Sequence, residues 1–293
     1  MKNELVCKTI EFNKKRKKRS LSGYILIYSC YFLIALFFFL PILWTLSLSF
    51  KTASEVFHYP PTLIPSSPTL ENYGVILKNT SMPKYIWNSF KLVFLTVTGT
   101  LLITIPGAYA ISRYRIKFKG LLLYLILLFQ MVSAMVIIVP IYQYYVKLDW
   151  INNYLALAMV YIAIQIPFTT WLLKGYFDCI PMELEEAALI DGASKLKTLF
   201  SVTLPIAKSG ISSAIIFIAI NSWSQFILPF ILIDKSEDFP VSVGILLAQG
   251  TYQQISIHYV AAASVIALLP AILLVLFMQK FIVESMISGA IKG

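Results

Sequence analysis

The side chains whose types and spacing could serve a specific function are concentrated in residues 174–208. Pro181 suits the first position of a helix, and acidic residues follow it at the positive end of the helix dipole, where negative charge is stabilised. These acidic residues are Glu183, Glu185 and Glu186. Leu184, Ala187 and Ala188 fall three and four residues apart on one face, which predicts a small, smooth surface that another protein can approach closely.

A turn and a second helix are expected next in this segment. Gly192 predicts the C-terminal cap of the first helix, because glycine adopts the left-handed conformation at little cost. Ser194 is a suitable N-cap for the second helix, and Pro205 is expected to stop it. The apolar stripe of the second helix is Leu196, Leu199 and Phe200. The segment therefore predicts helix, tight turn, helix.

The same pattern fits a second interpretation. An amphipathic hairpin can lie on a membrane surface, and Lys195, Lys197 and Lys208 would favour anionic lipid headgroups. The physical pattern by itself leaves two interpretations open, a docking element for another protein and a hairpin that lies on the membrane.

Other features of the sequence disfavour several kinds of chemistry. His58 and His258 are far apart, and no Cys, Asp or Glu cluster accompanies them at ligand spacing, so no metal site is predicted. Cys7 and Cys179 are expected in a reducing compartment and Cys30 falls in an apolar run, so no disulfide framework is implied. No convergent set of acid, base and nucleophile is present, which disfavours a membrane-embedded enzyme.

Composition indicates that membrane helices must position these residues. Of 293 residues, 58% are hydrophobic and 13% are charged, about half the charged fraction of an ordinary soluble domain. Six runs without Asp, Glu, Lys or Arg are each long enough to supply the roughly 20 helical residues that cross a bilayer. The expected fold class is an all-α, polytopic membrane protein. The predicted spans are Tyr24–Leu46, Trp87–Ile111, Leu121–Tyr142, Tyr154–Leu173, Gly210–Ile233 and Ala261–Phe281.

Prolines within the spans and short apolar pieces between them add further expectations. The prolines predict kinks rather than loops, since neighbouring groups can satisfy the carbonyls that they free. They are Pro41, Pro106, Pro140, Pro167, Pro229 and Pro270. A short helix is expected near Leu70–Leu77. The piece Val241–Ala248 is too short to cross, so it is expected at the membrane interface or as a re-entrant segment.

The distribution of positive charge predicts the orientation of the chain. With the N-terminus inside, 18 of the 24 Lys and Arg residues fall on the inner side of the six spans. Both termini and residues 174–208 are therefore expected in the cytoplasm. The basic run Lys14–Arg19 is interpreted as a topology determinant rather than a nucleic-acid patch. It is not interpreted as part of a secretory signal, because the apolar run after it is too long and lacks a small-residue cleavage site.

Residues 174–208 also resemble a known family pattern, the EAA loop of ATP-binding-cassette importer permeases. The residues that carry the resemblance are Glu186, Ala187, Ala188, Asp191, Gly192, Ala193, Phe200, Leu204 and Pro205, with Val202 where the family usually has isoleucine. The run 175–186 resembles the carbohydrate-uptake branch, the maltose-type sugar permeases, and so do residues 69–73 and 288–293. The resemblance covers nearly the whole chain after the basic N-terminal tail.

The resemblance implies the type I importer permease fold (MetI-like) and a loop that docks in a cleft of a separate ATPase as a coupling helix. Glu186 would pair with a cation there, and Gly192 would set the turn. The residues implied to make this coupling are Glu185, Glu186, Ala187, Ala188, Asp191, Gly192, Ala193, Leu196, Leu199, Phe200, Leu204 and Pro205. The implied partners are a pair of ATPase subunits, a second homologous permease, an extracellular or periplasmic sugar-binding protein and membrane lipid, with no nucleic acid.

No catalytic residue and no cofactor is assigned to this chain. A phosphate-binding loop needs Gly-Lys followed by Ser or Thr, and no glycine precedes a lysine in the sequence. ATP and Mg²⁺ are therefore expected on the ATPase partner.

Neutral polar side chains in the spans are candidates for a translocation path. They are Gln130, Ser133, Gln143, Gln165, Thr169, Thr170, Asn221, Ser222, Ser224 and Gln225. Amides and hydroxyls suit the hydroxyls of a sugar, and they equally suit hydrogen bonds between helices. The preferred candidates are Gln130, Gln165, Asn221, Trp223 and Gln225, with Asn221 and Gln225 one helical turn apart. Gln225 is a departure, since many sugar permeases have Trp-Asn-Glu-Phe where residues 223–226 read Trp-Ser-Gln-Phe.

The predicted function is the permease subunit of an ATP-driven importer that forms half of the path for a sugar, a di- or oligosaccharide. A phosphorylated polyol such as glycerol 3-phosphate is the alternative substrate. An ion-coupled carrier is disfavoured, because the uncharged runs place no ionisable group within the membrane. A purely structural scaffold is disfavoured only by the loop pattern. The expected domains are a basic tail at 1–23, a permease domain at 24–283, and a tail at 284–293 that either reaches toward the ATPase or frays.

Overall fold

The computed structural model describes residues 21–247 and 257–290, and the regular structure in these ranges is entirely helical. In chain order the α-helices are α1 (Leu21–Ser49), α2 (Ala53–Val56), α3 (Glu71–Asn79), α4 (Met82–Arg113), α5 (Lys119–Gln130), α6 (Ala134–Lys147), α7 (Tyr154–Asp178), α8 (Met182–Ile190), α9 (Lys195–Thr198), α10 (Leu204–Ile206), α11 (Lys208–Ser224), α12 (Ile227–Leu232), α13 (Val241–Leu247) and α14 (Ile257–Ala290). A π-helical turn covers Leu199–Thr203 and a 3₁₀ turn covers Ser236–Asp238.

Four helices within the described ranges are long and apolar enough to cross a membrane: α1, α4, α7 and the part Ile257–Phe277 of α14. Two bent pairs bring the number to six if each counts as one span. In the first pair α5 and α6 meet at 84°, and in the second the helical segment Lys195–Ile206 meets α11 at 79°. The first, second, fourth and sixth predicted spans are thus single helices, and the third is a broken one.

The fifth predicted span was expected as one helix, and this was wrong. It consists of α11 and α12, which are separated at Gln225 and Phe226. Pro229 explains the break, because it has no N–H to donate to the carbonyl of Gln225, four residues earlier. The Ser242 hydroxyl donates to that carbonyl instead, at 2.6 Å. The other predicted kink prolines lie inside helices that remain continuous: Pro41, Pro106, Pro140, Pro167 and Pro270.

The centre of the bundle is the parallel pair α4 and α7. Leu92 and Leu157 share one apolar cluster near the start of both helices, and Ala108 and Leu173 share another near their ends. Between these clusters lie buried polar residues at intervals of four. They are Thr96, Thr100 and Thr104 on α4 and Tyr161, Gln165 and Thr169 on α7. The small threonines and Gly99 allow close approach, as in membrane helix pairs generally.

The segments at the starting ends of α4 and α7 are held by short polar side chains. The Asn72 amide donates to the carbonyls of Ser49 and Lys51, which ties α3 to the end of α1. The predicted short helix near Leu70–Leu77 is confirmed as α3. The apolar piece Val241–Ala248, predicted at the membrane interface or as a re-entrant segment, forms the seven-residue helix α13 over Val241–Leu247, and Ala248 lies outside the described residues. Its Val241 is buried in a cluster with Tyr85 of α4 and with alanines of α14.

The predicted terminal tails fall partly outside the described residues. Residues 1–20 and 291–293 are not described, so most of the basic N-terminal tail remains a prediction. Helix α14 continues to Ala290, so the segment from 284 begins as an extension of the last span rather than as a separate tail.

A tight helix contact gives the first testable prediction. A Cβ on Gly210 of α11 would lie 2.3 Å from the ring of Tyr176 on α7, so Gly210→Ala must push the two helices apart. We expect the purified protein to lose about 1–3 kcal/mol of stability, the usual cost of overpacking, measured by thermal unfolding in detergent. Gly175→Ala is the matched control, because open space surrounds its added methyl group. Equal Tm values for the two variants would contradict this packing.

Candidate functional site

The candidate site is the helical hairpin, defined here as residues 182–206. Its first helix, α8, begins after Pro181 and has Glu183 and Glu185 in its first turn. The helix ends in a Schellman motif: the Gly192 N–H donates to the Leu189 carbonyl at 3.1 Å, and the Ala193 N–H donates to the Ala188 carbonyl at 3.0 Å. Gly192 has φ of 83°, in the left-handed region. The predicted glycine cap is confirmed.

The second half of the hairpin starts as predicted and ends differently. The Ser194 hydroxyl accepts a hydrogen bond from the Lys197 N–H at 3.3 Å, which confirms it as the N-cap. Pro205 was predicted to stop the helix, and this was wrong, because the helical path continues to Ile206 and turns into α11 at Ala207. A π-helical turn precedes Pro205, so Pro205 lies in the first turn of α10. Proline is tolerated in a first turn, because the N–H that it lacks has no hydrogen-bond partner within the helix there.

A buried ion pair fixes the hairpin to the end of α4. The Nε–H of Arg113 donates to Oε1 of Glu185 at 2.8 Å, and Nη2 forms an ion pair with the same oxygen at 2.8 Å. The Thr203 hydroxyl donates to the same oxygen at 3.0 Å, and the Tyr109 hydroxyl donates to Oε2 at 2.8 Å. The Nη2 of Arg113 also donates to the carbonyl of Ile180 at 3.1 Å. The charge is therefore neutralised, and both carboxylate oxygens have donors.

Burial separates the predicted coupling residues into two groups. Glu185 is 5% exposed and Leu199 is 3% exposed, so both are committed to contacts inside this chain. Their expected role as contact residues for a partner is corrected, since Glu185 faces Arg113 and the π-helical turn directs Leu199 inward. Glu186, Ala187, Asp191, Gly192, Leu196, Phe200 and Pro205 are exposed, while Ala188, Ala193 and Leu204 are partly buried.

The exposed face of the hairpin is more apolar than the sequence indicated. Leu189 and Ile190 precede the glycine turn and are exposed, Ile190 by 86%. Leu196 and Phe200 are 69% and 64% exposed in the second half. Exposed large apolar side chains in such a group mark an interaction surface. Sequence reasoning missed Leu189 and Ile190, although two apolar residues directly before an Asp-Gly turn were a usable signal.

Sequence reasoning also missed the anchor residues. Arg113 was counted only as an inner-side positive charge, and Tyr109 and Thr203 were not singled out. No signal in one sequence pairs Arg113 with Glu185, because 72 positions separate them. Only the packing of α4 against α7 and the hairpin brings them together.

The predicted path residues do not converge on one surface. Gln165 is buried between α4 and α7, so we leave it out of the path. The Trp223 indole N–H donates to the Ala267 carbonyl at 3.1 Å, which fixes Trp223 against α14. Asn221 is exposed, and its amide donates to the carbonyl of Phe217 in its own helix. Gln225 follows the end of α11 and so does not continue the Asn221 face, which corrects the one-turn relation. Gln130, the fifth candidate, is exposed at the end of α5.

The second predicted span, Trp87–Ile111, also contains a charged residue, which the sequence alone already shows. Lys91 lies within α4, and its ammonium group is 5.2 Å from the centre of the Tyr154 ring. This cation–π contact lies near the starting ends of α4 and α7.

These features define a multi-pass α-helical membrane protein with an anchored helical hairpin that exposes an apolar face. Residues 99–288 match the family model described as "Binding-protein-dependent transport system inner membrane component". The match spans more than half of the chain, so the chain belongs to this family. It is accordingly a multi-pass protein of the inner membrane.

Individual relatives agree with this membership, and a solved structure shares the fold. The chain is 34% identical over 265 residues to the trehalose/maltose transport system permease protein of Thermococcus litoralis, covering 89% of this chain and 94% of that protein. It is 31% identical over 253 residues to the sulfoquinovosyl glycerol transport system permease protein of Agrobacterium fabrum, covering 86% and 88%. Its fold matches a chain of a bacterial ABC transporter for alginate import with TM-score 0.76 and 23% identity, covering 90% and 98%.

The division of the hairpin into buried and exposed positions gives a second prediction. Single cysteines at Ile190, Leu196 and Phe200, in a chain without its native cysteines, should react rapidly with a maleimide in detergent. A cysteine at Leu199 should react at least about tenfold more slowly, because a thiol reacts as the exposed thiolate. Mass spectrometry of the labelled protein over time measures these rates. Similar rates at Leu196, Leu199 and Phe200 would contradict the π-helical turn.

Proposed function

We propose that this chain is the membrane-spanning permease subunit of an ATP-driven sugar importer, and that the helical hairpin docks onto a separate ATPase subunit. The observation that carries the proposal is the exposed apolar face of the hairpin beside the free carboxylate of Glu186. A cleft with apolar walls and a cationic side chain would complement this face. The membrane-surface alternative is less favoured, because the exposed apolar group sits at the turn with Glu186 and Asp191, which anionic lipid would repel.

The substrate class follows from relatives and from the chemistry of the spans. The relatives are named for trehalose and maltose, sulfoquinovosyl glycerol, galactooligosaccharides and diacetylchitobiose. All of these are polyhydroxylated, and all except sulfoquinovosyl glycerol, which carries a sulfonate, are neutral molecules that amides and hydroxyls can bind without the cost of burying an ion. Asn221, Gln130 and Gln225 are the path candidates that remain accessible in this chain. No observation favours a phosphorylated polyol.

The proposal includes the partners and the orientation. A pair of ATPase subunits would bind ATP and Mg²⁺, so this chain would have no enzymatic activity of its own. A second permease subunit would form the other half of the path, and a binding protein would deliver the sugar. Both termini would lie in the cytoplasm, which the excess of Lys and Arg on the side of the hairpin supports.

The decisive experiment is to purify the chain with its co-isolating subunits in lipid nanodiscs and to measure ATPase activity against a panel of sugars. We expect an ATPase to co-purify and its rate to rise with one class of di- or oligosaccharide in the presence of the binding protein. A monosaccharide and glycerol 3-phosphate serve as negative controls. A complex that contains no ATPase, or one that only the phosphorylated polyol stimulates, would contradict the proposal.

Substitutions in the hairpin test the docking surface directly. Glu186→Lys reverses the exposed charge, and Gly192→Val cannot adopt a φ of 83° without strain. Both should abolish uptake and sugar-stimulated ATPase activity while membrane insertion stays normal. Glu183→Lys is the control, with the same charge reversal at an exposed position in the first turn of α8. We expect it to retain most of the uptake, and equal losses in Glu183→Lys and Glu186→Lys would argue against a specific contact.

A further inference from the structure

The exposed face explains how the hairpin could bind an ATPase but leaves open how its displacement reaches the spans. We propose that Glu185 is a positioning residue: with Arg113 it clamps the hairpin to the end of α4, so that movement of the hairpin passes directly to α4. The inference rests on the proposed function. It adds a direct polar route to α4 beside the covalent connections to α7 and α11, which flank the hairpin in sequence.

The contacts of Glu185 join the hairpin to α4 and join its two halves to each other. Its carboxylate accepts from Arg113 and Tyr109 of α4 and from Thr203 in the second half of the hairpin. Arg113 in turn donates to Ile180 at the junction between α7 and α8. The side chains of Arg113 and Glu185 are 8% and 7% exposed. One carboxylate therefore fixes both halves of the hairpin relative to one arginine.

The energetics of the pair favour a positional role over a simple gain in stability. A buried ion pair gives little net stabilisation relative to well-packed apolar residues, because both charges lose their hydration. Removing one partner is costly, since the other remains buried and uncompensated. The three hydrogen bonds to Glu185, from Arg113, Tyr109 and Thr203, also specify one geometry, as charge-assisted hydrogen bonds do. The pair thus holds α8 in one position more effectively than it stabilises the fold.

The clamp places the docking surface in a fixed relation to α4. Glu185 and Glu186 are adjacent on α8, so their side chains point about 100° apart around the helix. Glu185 is buried against Arg113 and Tyr109 of α4, and Glu186 is exposed beside Leu189 at the edge of a pocket that both glutamates line. A force on the exposed face at Glu186 therefore reaches Arg113 of α4 through Glu185, the adjacent residue of α8. The Lys195 ammonium lies 5.0 Å from the Tyr114 ring centre and adds a contact between the same two elements.

Helix α4 cannot move without α7, so the clamp acts on the central pair of the bundle. The Ser112 hydroxyl donates to Asp178 at 2.6 Å, and Asp178 is paired with Lys174 at 2.5 Å. Further along the pair, an added Cβ on Gly99 would lie 2.4 Å from the Ile162 side chain, which shows how close the helices are. A displacement at Arg113 is thereby shared along the full length of α4 and α7.

The test uses the complete complex with its ATPase, binding protein and sugar. The variants are Glu185→Gln, Arg113→Gln and the charge swap E185R/R113E, and the control is Glu183→Gln, an exposed glutamate on the same helix. We measure the amount of ATPase that co-purifies, its rate with and without sugar, and the rate of tryptic cleavage after Lys195 and Lys197. Cleavage reports the mobility of the hairpin independently of transport.

A clamp that passes movement of the hairpin to α4 and a purely structural role of Glu185 give different results. We expect Glu185→Gln and Arg113→Gln to retain the ATPase and its unstimulated rate, to lose sugar stimulation by about tenfold or more, and to be cleaved faster, because a buried group is left uncompensated. The charge swap should recover part of both, and Glu183→Gln should behave as the unmodified protein. Parallel losses of ATPase binding and of both rates would show a structural role and overturn the inference, as would unchanged stimulation in Glu185→Gln.

The outcomes also separate this inference from the proposed function. If the unmodified chain binds no ATPase, the proposed function fails, and the proposed role of the Glu185–Arg113 clamp fails with it. If sugar stimulates the ATPase rate of the unmodified complex and of the Glu185→Gln variant equally, only the proposed role of the Glu185–Arg113 clamp fails.

Discussion

The hydrocarbon core of a membrane offers no hydrogen-bond partners, so each backbone amide that enters it must be paired within the protein. This constraint accounts for the long helices and for where they are interrupted. At the break between α11 and α12, the Ser242 hydroxyl satisfies the carbonyl that Pro229 leaves free. At the start of α6, the Ser133 hydroxyl accepts from the Met135 N–H. The chain departs from a helix where a nearby polar side chain can replace the missing bond.

The helical hairpin follows a different rule because polar groups dominate its attachment. The bundle helices pack through apolar clusters and small residues, whereas the hairpin is attached by the buried pair of Arg113 and Glu185 with Tyr109 and Thr203. Apolar packing tolerates sliding, but a carboxylate that accepts three hydrogen bonds defines one geometry. An element proposed to transmit movement benefits from such an attachment, since a loose joint would absorb the displacement.

The arrangement also divides neighbouring residues between two tasks. On α8, Glu185 turns inward to the anchor and Glu186 outward to the exposed face; in the second half of the hairpin, Leu199 is buried and Phe200 is exposed. The π-helical turn at Leu199–Thr203 changes the angular spacing of side chains, so apolar residues at ordinary α-helical spacing do not share one face there. This is why the predicted group of Leu196, Leu199 and Phe200 separates into exposed and buried members.

The sequence by itself determined the features that depend on local chemistry: apolar runs long enough to cross a membrane, the glycine turn at Gly192, the cap at Ser194, and the family pattern of the loop. These depend on residues within a few positions of one another, which a single sequence displays. Only the tertiary structure decided which glutamate is buried, that Arg113 meets it across 72 positions, and that Gln165 lies inside a helix pair. Such pairings arise from the packing of distant helices, and neither periodicity nor composition records which faces meet.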